Sequence, residues 1–166
     1  ESEIWIFGEV IGQLSEEIEL AARCQLARRL ARSDQAPIQM VTKLAFDDSI
    51  DVAGPILRYS ERLENQVLVA NARCKSQQHL FAISRRKAID EPVTDVLVQR
   101  GDQTVVNSVA VNAGARFSDS GFLQLIKRSE NDSILAEHLG RRRDIPRHLF
   151  QQLIAKDEKD TRSSRN

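Results

Sequence analysis

The side chains best suited to chemistry in this sequence are three histidines, two cysteines and two groups of neighbouring carboxylates. A structural zinc site needs Cys or His ligands a few residues apart, usually in pairs. His138 and His148 stand ten residues apart across an arginine-rich turn, and His79 is remote from both in sequence. Neither Cys24 nor Cys74 has a Cys or His within four residues. Cys24 shares a helical stripe with Leu20, Ala27 and Ala31 and reads as a small core residue. Neither a metal nor any other cofactor is expected. Asp47, Asp48 and Asp51, and Asp90 with Glu91, could run acid–base chemistry if burial shifted one of them. Both groups stand where a helix should begin, and there capping and the helix dipole account for them. There is no Gly-rich phosphate loop after a strand, no nucleophile elbow, and no Ser/His/Asp spacing that stands out. The sequence therefore reads as non-catalytic.

One charged pattern has a spacing of its own. Arg85, Arg86 and Lys87 recur as Arg141, Arg142 and Arg143, 56 residues later. Between and before them, in the same phase, come Arg28, Arg29 and Arg32, then Arg58 and Arg62, then Arg116. Such a series could form a basic ridge for an anionic partner. It could equally be cations placed at helix C-termini, where the dipole favours each by about 0.3–1 kcal/mol without any partner. Asp34, Glu61, Asp90 and Asp144 are interleaved and dilute it. Asp47, Asp48, Asp51, Asp102, Glu130 and Asp132 fall mostly at the alternate turns, where Arg73 and Lys75 break the rule.

The elements that would position this ridge follow from a repeat. An apolar residue precedes a polar, helix-opening stretch at Leu63, Ile89, Phe117 and Ile145, with steps of 26, 28 and 28; Ala36 fits one step earlier. Each can pack on the first turns of the helix it introduces, and Phe117 with Phe122 is the clearest such staple. Apolar stripes at helical spacing flank every anchor, for example Val52, Ile56 and Leu57 before Leu63, and Leu149, Leu153 and Ile154 after Ile145. The unit is helix, turn, helix, turn. Upstream, Ile4, Phe7, Ile11 and Leu14 mark one helix, and Ile18, Ala22, Leu26 and Leu30 a longer one opened by Ser15, which brings the expected total to about eleven. The runs 93–98 and 104–111 are β-branched enough for strands, but they occupy positions that are helical in neighbouring copies. Pro55, after Gly54, should bend or restart its helix. Paired short helices in tandem cannot bury their faces alone, so the expected fold is all-α. It is an α-solenoid of about five two-helix repeats with a period of roughly 27 residues.

Composition agrees. The 166 residues suit one domain, expected over 1–156, followed by a disordered polar tail over 157–166. Lys plus Arg equal Asp plus Glu at 24 each, which argues against a general polyanion binder. With 41% apolar residues the chain can bury a core, yet no run reaches the roughly 20 needed to span a bilayer. Two cysteines cannot staple a chain of this size, so a reducing, cytoplasmic setting is expected. The chain opens on Glu1 with Ile4, Trp5, Ile6 and Phe7 close behind, as an excised fragment would. Such an apolar end should be covered by a further repeat or another subunit.

The segments Asp51–Leu57, Ala82–Lys87, Val93–Asp102, Val111–Ala115 and Arg143–Pro146 resemble, in order, an uncharacterised bacterial family of unknown function with HEAT-like helical repeats. The resemblance covers roughly Ser15 to Lys156. It implies an all-helical superhelix and brings no catalytic residue, ligand or cofactor. The expected role is an interaction module with a protein partner, with homo-oligomerisation through the apolar N-terminal end. The alternative is duplex nucleic acid bound along the ridge Arg85, Arg86, Lys87, Arg141, Arg142 and Arg143. An enzyme, such as a base-excision solenoid, would need a carboxylate beside aromatics in a dry pocket, which no feature requires.

Overall fold

Short helices ended by polar turns fill the chain because each carries an apolar face at 3.6-residue spacing and a helix-opening residue in front of it. The computed structural model describes residues 2–152, 154 and 155. The side chains of Ile4, Trp5, Ile6 and Phe7, the position of Leu153 and the polar 156–166 stretch lie outside the described residues. The protein is all-α. Its only strand-like feature among the described residues is an isolated parallel bridge between Ile89 and Ala115.

Contacts divide the chain into two units, Glu1–Ile83 and Ser84–Asn166. In the first, α1 (Ser2–Leu30) packs on α2 (Ile38–Ala45) and α3 (Ile50–Tyr59), and α2 also packs on α3. Next come α4 (Asn65–Cys74) and α5 (Gln77–Ser84), which reaches the boundary. The core of this unit includes Val41, Val52, Ile56, Leu57 and Leu80, all at 0% exposure. In the second unit α6 (Glu91–Arg100) packs on α7 (Gln103–Val111) and α8 (Asp119–Ser129), and α9 (Ser133–Gly140) packs on α7 and α8. A further helical stretch follows over 147–152. Val93, Leu97, Val109, Leu125 and Leu139 fill this core.

The anchors Ala36, Leu63, Ile89 and Phe117 are buried and Ile145 is half-buried. The Phe117 and Phe122 rings meet with centroids 5.3 Å apart, completing the staple. The β-branched runs are helical, as α6 and α7, because Val93, Val96, Val106 and Val109 are needed on one buried face and tertiary packing outweighs their propensity. Asp102, Ser118 and Asp132 cap α7, α8 and α9 by accepting from Val105, Gly121 and Leu135 N–H at 2.9, 3.0 and 3.0 Å. Asp90 occupies the N-cap position of α6 without a side-chain capping bond.

One expectation is corrected and another is narrowed. The two helices expected before residue 31 are one, α1, because nothing around Ser15 interrupts the backbone and Glu16 and Glu17 sit as well inside a helix as at its start. Among the described residues the total is accordingly about ten. Of the two effects expected of Pro55, a restart is excluded, because it lies inside the continuous helix α3. The preceding Gly54 has no Cβ to strike the proline ring, and this removes much of the usual clash.

Candidate partner-binding cleft

The turns that precede second helices leave backbone carbonyls outside the helical ladder, and each buried one needs a donor. Arginines of the next turn along supply several. In the first unit Arg62 Nε donates to the Ala36 carbonyl at 3.2 Å, 26 residues back. In the second, Arg142 Nη2 donates to the Ala115 carbonyl at 2.8 Å, 27 residues back. Its Nη1 donates to the Ala110 and Asn112 carbonyls at 2.9 and 3.0 Å. Nε and Nη2 form a fork on the Asp144 carboxylate at 2.8 and 2.7 Å, and the guanidinium lies 4.8 Å above the Phe117 ring. Only 8% of the Arg142 side chain is exposed.

Asn112 joins the same layer of turns. Its Nδ2 donates to the Ser84 and Arg86 carbonyls at 2.9 and 2.8 Å, and its Oδ1 accepts from Gly114 N–H at 2.8 Å. Ile89 N–H donates to the Gly114 carbonyl at 3.0 Å, and Arg116 N–H to that of Ile89 at 2.9 Å. Gly114 must be glycine here because a Cβ would lie closer than 3.0 Å to the Lys87 carbonyl.

The six candidate cations thus have different fates. Arg85 and Lys87 are exposed and Arg86 is half-buried. Arg141 is exposed and pairs with Glu137 one helical turn earlier. Arg142 is spent inside. Arg143 is exposed. Arg141, Arg142 and Arg143 line one cleft of about 340 Å³, together with His138, Asp144, Ala110 and Val111 at the end of α7, and Ala113 just beyond it. Arg85, Arg86 and Lys87 are absent from its lining. His138 Nδ1 donates to Asn107 Oδ1 at 3.1 Å, a direction fixed because Asn107 Nδ2 donates to the Gln103 carbonyl and to Asp132. The cleft therefore combines exposed cations with small apolar side chains, of which Val111 is 62% exposed.

Of the expected carboxylate cluster, Asp47 and Asp48 line a separate open depression of about 800 Å³ beside α1, and Asp51 is not in its lining. Both carboxylates have partners. Asp47 accepts from Arg23 Nε at 3.0 Å and from Ser49 N–H at 2.9 Å. A hydrogen bond from Lys75 and that ammonium's charge hold the Asp48 carboxyl below its ordinary value. Burial opposes ionisation of Asp132, but hydrogen bonds from Leu135 N–H, Asn107 and Gln103 outweigh it and keep this carboxyl low as well. Neither carboxyl is raised, as a general acid at neutral pH would need to be.

Sequence reasoning missed the buried polar residues that tie the turns. His79 Nε2 donates to the Asp47 carbonyl at 2.8 Å, which leaves Nδ1 to accept from Ser76 at 2.7 Å in the neutral ring. Asn71 Nδ2 donates to the Ala45 carbonyl at 2.7 Å, 26 residues back. In sequence these residues carry no signal apart from that step. Among the described residues no group of three or more His, Cys, Asp or Glu could hold a metal ion, and no helix is long and apolar enough to cross a membrane.

By its architecture the chain falls among the all-α proteins. Residues 52–164 match the family described as an uncharacterised protein conserved in bacteria (DUF2336), and the chain belongs to that family. No curated protein and no solved structure matches it.

Proposed function

We propose that this chain is a non-catalytic helical-repeat interaction module that holds an extended, acidic protein segment at the cleft lined by His138, Arg141 and Arg143. The helix pairs along the sequence, about five in number, are read as HEAT-like repeats of an α-solenoid. Support comes from hydrogen bonds within each unit that recur at steps of 26 to 28 residues, at Arg62, Asn71, Lys75, Asn112, Arg128 and Arg142. Nearest-neighbour ties at one fixed step are what a stack of near-copies produces. Cys24 and Cys74 are free thiols, which fits a reducing, cytoplasmic setting.

The observation that carries the binding role is the composition of the cleft. Arg141 and Arg143 are exposed, and Ala110, Val111 and Ala113 supply small apolar surface to the same lining. At about 340 Å³ it lies near the lower end of ligand-site volumes, enough for one or two side chains. A carboxylate side chain with a short aliphatic stem fits that chemistry. The test is fluorescence polarisation with labelled glutamate-rich and lysine-rich peptides of equal length. The glutamate-rich peptide should bind and lose at least about tenfold in affinity in an Arg141→Glu/Arg143→Glu variant, equivalent to about 1.4 kcal/mol. Equal binding of both peptides, or no loss in the variant, removes the proposal. Binding of a DNA duplex in place of the peptide would transfer the cleft to the nucleic-acid reading.

A further inference from the structure

α1 changes character along its length. From Leu20 onward it meets the rest of its unit, with Ala27 fully buried and Arg23 and Cys24 partly so. Over 9–19 every side chain that the structure describes is exposed, yet Val10, Ile11, Leu14 and Ile18 are 47%, 48%, 48% and 69% bare. Ile11, Leu14 and Ile18 are spaced by three and then four residues. The same steps in sequence lead back to Phe7 and Ile4 and forward to Ala21, and the backbone is helical across all of them. Six positions alternating by three and four form a heptad seam, narrower than the stripe by which a helix covers a globular core.

We infer that α1 pairs along this seam with α1 of a second copy of the chain, as a parallel two-stranded coiled coil. A heptad seam is matched by a helix of the same period, and a second copy supplies one of equal length and register. Isoleucine at the first heptad position (Ile11, Ile18) with leucine at the fourth (Leu14) is the pattern that favours two strands. The flanks of the seam are Gly8, Ser15 and Ala22 on one side and Val10, Glu17 and Cys24 on the other. In parallel register Val10 faces Ser15 and Glu17 faces Ala22, so no like charges meet. Glu9, Glu16 and Glu19 point away from the partner.

The same acidic polar face disfavours a lipid surface, because interfacial helices usually carry Lys and Arg there to meet anionic headgroups. From position 4 to 21 the seam runs about 26 Å at 1.5 Å per residue. Two copies would bury on the order of 1,000 Å² in total, near the lower limit for a specific interface. The dimer is therefore reversible.

Sedimentation equilibrium on the full 166-residue chain over a wide concentration range tests this. The mass should rise from 18.8 kDa towards twice that value. An Ile11→Glu/Leu14→Glu/Ile18→Glu variant should stay at the lower mass throughout with unchanged helical signal, since these side chains are exposed in the single chain. In a Cys24→Ser/Cys74→Ser background, which removes the two native thiols, Leu14→Cys should form a disulfide-linked dimer on mild oxidation, which reports the in-register parallel pairing. The inference falls if the unsubstituted chain keeps the lower mass at all concentrations, if the dimer survives in the triple variant, or if a monomer floats with neutral phosphatidylcholine vesicles.

Discussion

Arg142 shows how much a single residue type can conceal. Its sequence neighbours, Arg141 and Arg143, are exposed, whereas its own guanidinium donates to three carbonyls and a carboxylate and lies over Phe117. Truncation would leave the Ala110, Asn112 and Ala115 carbonyls without this donor and remove a planar group packed on a ring. Arg142→Ala should lower stability by about 2–3 kcal/mol, as loss of charge-assisted bonds to buried acceptors does. Arg142→Lys should recover only part of this, because an ammonium cannot reproduce the fork. Arg143→Ala should stay within about 0.5 kcal/mol, as exposed substitutions do. Urea unfolding of the three variants separates these values, and similar midpoints for Arg142→Ala and Arg143→Ala would refute the latch role. Nothing in the sequence distinguishes the middle arginine from its neighbours. Its role depends on the turn 27 residues earlier, and side-chain reach across that gap is a property of packing.

At the level of elements, the close approach of successive turns makes an opposite pair of predictions for two glycines. A methyl group at Gly114 would strike the Lys87 carbonyl, which is backbone and cannot rotate away. Gly114→Ala should therefore cost about 1–3 kcal/mol through forced separation of the turns. At Gly140, the last residue of α9, a methyl group would meet nothing within 4 Å, and neither glycine has positive φ. Gly140→Ala should be neutral or stabilise by up to about 1 kcal/mol through helix propensity. Thermal unfolding of both variants measures the contrast, and equal shifts would refute it. Most elements were legible because their signals are local. The staple of Phe117 on Phe122 and the apolar stripes of α6 to α9 are written within a few residues of one another. α1 was misdivided because Ser15-Glu16-Glu17 satisfies both a helix start and a helix interior, and only continuity of the backbone separates the two. The cleft is half legible: the triplet Arg141–Arg143 is visible in sequence, but its apolar lining of Ala110, Val111 and Ala113 comes from the end of a helix and the turn after it, about one step earlier.

For the molecule as a whole, charge balance decides what it will not hold. The 24 cations match 24 anions, and the sequence pI is about 7.1. Three cations that a polyanion could use are already paired within the chain: Arg23 with Asp47, Lys75 with Asp48 and Arg142 with Asp144. Binding to duplex DNA gains its strength from released counterions, so log affinity falls with log salt in proportion to the phosphates neutralised. A chain whose cations are matched one for one by anions has little net attraction for a phosphate backbone. Anisotropy of a labelled duplex titrated with the protein at neutral pH should therefore show little binding even at low salt, while the glutamate-rich peptide still binds. A steep salt dependence, abolished in Arg141→Glu/Arg143→Glu, would reverse this and place the phosphate backbone, instead of a protein carboxylate, at the cleft.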